Sequence, residues 1–206
     1  MSPAPQTEVR LATPHDIDAI ARSLSRAFEE DPVWTFLLPD PTSRLTRLFR
    51  YFVTAMRLQH MTHATSYTDS ALTGAALWDP PGHWRMTPSQ FIRGGAGFIG
   101  CFGGGTLKAI RTLSVVEKRH PSHPGHYYLA ILGTDPDHQG KGVGSAVLKP
   151  VLDKCDHEGV GAYLESSKES NIAFYARHGF EVTGEIRLPG GPLVWPMWRN
   201  PKEPLG

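Results

Sequence analysis

Three glycines at alternate positions, Gly140, Gly142 and Gly144, punctuate the polar stretch from Gln139 to Ser145. Upstream, Tyr127 to Leu132 is a continuous apolar run of strand length, stopped by Asp135 and Pro136. Downstream, Val147, Leu148, Val151, Leu152 and Cys155 fall on one helical stripe. The pattern predicts a buried strand, a tight turn and a helix whose first peptide N–H groups are bare. Such N–H groups and the positive end of the helix dipole hold an anion, most often a phosphate. Glycine serves there because a side chain would keep ligand oxygens off the backbone, and because some N–H directions need positive φ. Pro150, inside this predicted helix, is expected to bend it near Ala146.

The kind of phosphate ligand decides the function. No window supplies G-x-x-x-x-G-K followed by Ser or Thr, so a nucleotide P-loop is excluded. The dinucleotide fingerprint meets Ser145 where its third glycine belongs. The pattern that fits is Q-x-x-G-x-G, carried by Gln139, Gly142 and Gly144. Further on, Gly161 to Ser167 (GAYLESS) is a second short strand, followed by Asn171, Tyr175, Gly179 and Phe180. Asn171 and Tyr175 are four apart and share one helix face; Gly179 is a helix stop and Phe180 opens the next strand.

With both motifs in this order, the sequence resembles the GNAT superfamily of acetyl-coenzyme A dependent N-acetyltransferases. A closer likeness, over the first thirty-odd residues and from Tyr127 onward, is to the puromycin N-acetyltransferases and their actinobacterial relatives. It rests on VRLAT, DPDHQGKGVGSAV, AYLESS, NIAFYARHGF and GPLVWPMWRNP. The resemblance implies an α/β fold with a mixed, largely antiparallel sheet, helices on both faces and splayed fourth and fifth strands. It implies acetyl-CoA as co-substrate and no metal. The pyrophosphate would be wrapped by Gln139, Gly140, Lys141, Gly142, Val143, Gly144 and Ser145. The pantetheine arm would pair with backbone around Leu132, Gly133 and Thr134, and Asn171 and Tyr175 would contact the coenzyme. Tyr175 would protonate the leaving sulfur, since a phenol is a neutral donor at physiological pH.

The general base is open at this level. Many relatives carry a carboxylate on the strand that here reads Tyr127 to Leu132, which contains none. That leaves Glu165, or Glu30 and Asp31 from the first loop acting through a water. The same loop, with Trp34, would form one wall of the acceptor pocket. The expected reaction is direct transfer to the primary amine of a small molecule, an aminonucleoside or other aromatic amine. Two other classes stay open: a non-catalytic CoA-binding regulatory module, and a protein or peptide N-acetyltransferase.

The rest of the chain must position these groups. Its 206 residues are 40% hydrophobic and 20% charged, the profile of one soluble domain spanning 1–206. A net charge of +1 without a basic run argues against nucleic acid. Two cysteines, Cys101 and Cys155, form no zinc or redox motif. The start, MSPAPQTE, shows no secretory pattern, so a cytoplasmic monomer or homodimer, off the membrane, is expected.

Residues 1–7 read as a loose tail and Val9 to Ala12 as a strand. Thr13-Pro14 opens a helix with Ile17, Ile20, Ala21, Leu24, Ala27 and Phe28 on its buried side. Thr42 or Ser43 caps a second helix burying Leu45, Leu48, Phe49, Phe52, Val53 and Met56. His63–Tyr67 and Ala71–Trp78 read as a hairpin turning at 68–70. Residues 82–125 are an expected acceptor-site insert: a glycine-weakened helix over 89–102, a second over 106–117, and a loop holding His120, His123 and His126. The aromatic residues Trp84, Phe91, Phe98 and Phe102 of the insert, with Trp34 and Phe36, are candidates for lining the acceptor pocket.

Overall fold

The computed structural model describes residues 7–202; the expected tail over 1–7 lies outside them except for Thr7. An eight-stranded sheet carries the molecule. Its order is β1 (Val9–Leu11), β2 (Tyr67–Asp69), β3 (Gly74–Asp79), β4 (His126–Thr134), β5 (Gly161–Ser166), β8 (Leu193–Arg199) and β6 (Glu181–Val182), with β7 (Ile186–Arg187) also on β8. Every pairing is antiparallel except β4 with β5. That parallel pair runs from His126↔Gly161 only to Leu129↔Leu164, whereas β3 follows β4 to Thr134. Beyond Leu129 the two strands therefore part, as the family resemblance implied. Backbone groups of β4 past that point have no β5 partner and face the gap.

Helices cover both faces. On one side α1 (Ile17–Phe28), α2 (Pro32–Leu37) and α3 (Pro41–Ala55) bury Ile20, Leu24, Leu48 and Phe52 against Ala75, Leu77 and Ile131. On the other, α6 (Val143–Glu158) and α7 (Ile172–Arg177) bury Val147, Leu148, Val151 and Tyr175 against Ala76, Trp78, Leu129 and Leu164. The alternation of β3, Ala75 and Leu77 one way and Ala76 and Trp78 the other, is why this strand reads as apolar throughout. Gly133 lets α1 sit close on β4: a Cβ there would come within 2.7 Å of Leu24 Cδ2. Helix α6 carries Pro150 in its interior and continues to Glu158.

Three local expectations are corrected. Helix α3 starts two or three residues earlier than Thr42 or Ser43 suggested, because the Asp40 carboxylate accepts the Thr42 N–H at 3.0 Å and Pro41 takes the first position. Its buried face carries Arg44, whose guanidinium donates to the carbonyls of Leu38, Glu29 and Pro39, while Leu45 is exposed. The hairpin turns at 70–73, not 68–70. Asp69 accepts the N–H groups of Thr73 (2.8 Å) and Gly74 (2.7 Å), and Leu72 adopts φ 59°, so the side chain of the last β2 residue fixes the turn. The segment 63–66 is consequently not strand. A single π-helical turn, Met56–His60, ends α3 instead.

The insert forms α4 (Pro88–Phe102) and α5 (Thr106–Arg119). Gly97 of α4 lies against Thr54 of α3, where a Cβ would come within 2.4 Å of Thr54 Oγ1. Among the described residues no helix is long and apolar enough to cross a membrane.

Candidate active site

The gap between β4 and β5 opens into a groove of about 680 Å³. Its floor is β4 from Leu129 to Thr134, with Leu164 and Glu165 of β5 opposite. One end is closed by Gln139, Gly140, Gly142, Val143, Gly144 and Ser145, the other wall by Asn171, Phe174 and Tyr175. Ala27 and Phe28 reach it from the last turn of α1, and Asp31 from the loop that follows. Thus the two sequence motifs meet at one site across the parting strands.

The glycine loop has the conformation its residue types dictate. Gly140 and Gly142 have φ of 73° and 85°, and a Cβ on either would meet nothing within 4 Å. Gly142 is the N-cap of α6, with no side-chain hydrogen bond to the first turn. The space beside these glycines is open to the groove. Gln139 Nε2 donates to the Thr134 carbonyl at 3.0 Å and ties the loop back to β4. Arg26 pairs with Asp135 (3.2 Å) and Asp137 (2.8 Å) on the outer side of the turn. A helix N-terminus behind left-handed glycines fits a pyrophosphate. Valine at Gly142 would put a β-branched side chain in that space at a φ it avoids. The Gly142→Val protein is expected to bind acetyl-CoA at least about tenfold more weakly, ~1.4 kcal/mol, by calorimetric titration. Unchanged affinity in the folded variant would contradict a phosphate loop.

Lys141, Glu30 and Trp34 do not line the groove, nor do the other aromatic residues expected there, Phe36, Trp84, Phe91, Phe98 and Phe102. Lys141 extends outward and donates to the Asp137 carbonyl at 2.8 Å. Glu30 is 83% exposed and lies 3.4 Å from Arg44. Trp34 packs with Tyr51, Phe52 and Phe102 beside α3 and α4. Asp31 does line it, but its carboxylate is engaged: it caps α2 through the N–H groups of Val33 (2.9 Å) and Trp34 (3.2 Å), and accepts the Ser167 hydroxyl. Burial raises its pKa against those bonds. Asp31 thereby pins the first loop to the end of β5. Cationic side chains that the motifs did not indicate, Lys168 and Arg177, also line the groove and suit an anionic coenzyme.

Tyr175 is buried on α7, its ring against Phe174 and Phe180. Burial, then the nearby Asp31 charge, pushes its pKa up, so the phenol stays protonated. Glu165 sits on β5 with Oε2 accepting the Tyr128 hydroxyl at 2.8 Å. Its Oε1 is buried without a hydrogen-bond partner among the described residues. Both cysteines are buried and their thiols pushed up to about 12 by burial, which leaves neither a nucleophile.

The loop expected around the histidines is present and holds His123, but His126 belongs to β4. His120 ends α5 and His126 begins β4, and both rings are buried, their Nε2 atoms 3.0 Å apart. Trp84 lies flat on His120, ring centroids 3.7 Å apart. Gln59 holds Trp84 there by donating to its carbonyl at 2.8 Å and to Asp79 at 2.7 Å. Of the insert's aromatics, Trp84 reaches the Glu165 neighbourhood; Phe98 and Phe102 pack on Tyr51, and Phe91 is 56% exposed. Among the described residues no three metal-ligating side chains converge.

Comparison with known proteins gives a consistent picture. The chain is 28% identical over 192 residues to an uncharacterised N-acetyltransferase of Schizosaccharomyces pombe, covering 84% of this chain and 74% of that one. Its fold is similar to a Corynebacterium glutamicum structure described as histone acetyltransferase HPA2 and related acetyltransferase, with TM-score 0.69, 25% identity and coverage of 97% and 98%. It also resembles Drosophila melanogaster polyamine N-acetyltransferase in fold, with TM-score 0.59, 16% identity and coverage of 93% and 98%. Residues 59–180, more than half of the chain, match the model of the acetyltransferase (GNAT) family, and the chain belongs to that family.

Proposed function

We propose that this acetyltransferase, acting as one catalytic domain, moves acetyl from acetyl-CoA directly to the primary amine of a small aromatic or aminonucleoside-like molecule. The observation that carries the reading is the convergence of the glycine loop, Tyr175 and Glu165 on one groove between parting strands. Glycine-loop N–H groups hold the pyrophosphate, with Lys168 and Arg177 adding positive charge. Backbone of Leu132 to Thr134 pairs with the extended pantetheine arm in the manner of an added strand. A neutral amine attacks the thioester carbon, the N–C bond forms and the C–S bond breaks. Glu165 takes the proton that the amine nitrogen loses, and Tyr175 gives its proton to the departing sulfur. Solvent in the groove then restores both groups, so the net products are amide and thiol.

The insert supports a small acceptor. Helix α5 ends at His120, 3.5 Å from Glu165, and Trp84 stacks on the His120 ring, so the insert backs the base although none of its residues lines the groove. The test is thiol release from acetyl-CoA against aminonucleosides including puromycin, arylalkylamines, spermidine and a histone-tail peptide. Preference for an aromatic small amine is expected. Faster turnover of the peptide or spermidine would move the acceptor to another class and leave acetyl transfer in place.

A further inference from the structure

Behind Glu165, outside the machinery assigned above, lies a buried chain of titratable groups whose hydrogen-bond directions can be worked out. His126 Nδ1 is 2.9 Å from the Pro124 carbonyl oxygen. A carbonyl only accepts, so this nitrogen carries a hydrogen. Burial lowers the pKa of His126, which keeps it neutral and leaves Nε2 with a lone pair. His120 Nε2, 3.0 Å away, must then be the donor. That leaves Nδ1 as the His120 atom at which a proton can be held or released, and it faces Glu165 Oε1 at 3.5 Å. The two atoms face each other across a gap that one proton would close; the buried Tyr163 hydroxyl, also without a partner among the described residues, is a further polar group beside Glu165. The side chains of His120 and Glu165 are only 2% and 6% exposed, so water does not readily stand in.

We propose that Glu165 and His120 act as a proton-sharing pair, in which His120 Nδ1 receives the proton that Glu165 takes from the acceptor amine and His126 fixes the tautomer that allows it. The inference rests on Glu165 as the base. One proton is added to the neutral-imidazole, carboxylate pair, and it ends between Oε1 and Nδ1 as an imidazolium–carboxylate contact. Departure of the amide product lets it return to solvent through the groove. Besides Glu165 and His126, the groups facing His120 are Tyr128, Tyr163 and Trp84. None of these supplies a positive charge that would oppose an imidazolium. Tyr128 holds the other carboxylate oxygen and so aims Oε1 at the histidine. His120 is a positioning residue and proton store in this scheme; it does not touch the substrate.

The test compares His120→Phe, which keeps an aromatic ring over Trp84, with Glu165→Gln, using the full chain and the best amine of the panel. His120→Phe should lower kcat roughly ten- to a hundredfold with acetyl-CoA affinity unchanged. It should also move the acid limb of kcat/KM to lower pH, because a pair has two places to keep one proton and a lone carboxylate has one. Imidazole nitrogen NMR of the wild-type protein, which needs no acceptor, should show His126 protonated on Nδ1 and a His120 Nδ1 signal that changes in Glu165→Gln. A wild-type pH profile in His120→Phe, or His126 protonated on Nε2, would overturn the pair. Should Glu165→Gln itself turn over normally, the base assignment fails, a result distinct from failure of the pair alone. If His120→Phe fails to fold, the NMR tautomer of the wild-type protein still decides.

Discussion

The Tyr175→Phe enzyme is expected to lose roughly 10²- to 10⁴-fold in kcat while binding acetyl-CoA as before. The substitution keeps the ring that packs on Phe174 and Phe180 and removes only the hydroxyl. Burial and the Asp31 charge both disfavour the phenolate, so the wild-type group is a proton donor across the physiological range. Thiolate expulsion without a donor raises the barrier of the bond-breaking step and leaves ground-state binding alone. Steady-state thiol release with calorimetric binding of acetyl-CoA separates the two quantities. Wild-type turnover in the variant would make Tyr175 a packing residue and solvent the acid.

A loss of similar size, roughly 10²- to 10⁴-fold in kcat, is expected for Glu165→Gln. Glutamine keeps an oxygen to accept the Tyr128 hydroxyl but cannot take a proton from an amine. The two carboxylates left open by the sequence give contrasting expectations. Asp31 already spends its oxygens on two backbone N–H groups and the Ser167 hydroxyl. Asp31→Ala should therefore act mainly on stability, by about 1 kcal/mol as for loss of a helix cap, seen as a lowered midpoint in denaturant unfolding. Glu30 is solvent-exposed beside Arg44. Loss of turnover in an Asp31 or Glu30 variant with normal turnover in Glu165→Gln would transfer the base to the first loop.

What the sequence made legible followed from interactions between near neighbours. The glycine loop could be read because positive φ at Gly140 and Gly142 and the start of α6 are decided by residues within a few positions. The helix of the first motif is of the same kind, and so is the start at Thr13-Pro14, which opens a 3-10 turn over Pro14–Asp16 that runs into α1. Even there, local signals competed: Asp40 and Thr42 both offer a cap, and Pro41 gives the start to Asp40. The hairpin register slipped because Asp69, read as turn, ends β2 and folds its carboxylate over the turn that follows.

The Glu165 surroundings were not legible for a different reason. His120 approaches Glu165 across 45 positions, and Gln59 orders Trp84 across 25, so no window contains both partners. Prolines around the histidines suggested a loop, which 121–125 is, but nothing local showed that the rings at its two ends are buried. The chain turns back after α5 and stacks both rings under β5. The strand order was likewise hidden, since β8, last in sequence, inserts between β5 and β6.

The claim that the groove is a coenzyme site is tested most directly by titrating the wild-type chain with acetyl-CoA and with acetyl-pantetheine, which keeps the thioester and arm but lacks the pyrophosphate. Bare N–H groups at Gly140 to Ser145, aided by Lys168 and Arg177, predict one acetyl-CoA per chain, with acetyl-pantetheine weaker by about a hundredfold or more, ~2.7 kcal/mol. Equal affinity for the two would contradict the account.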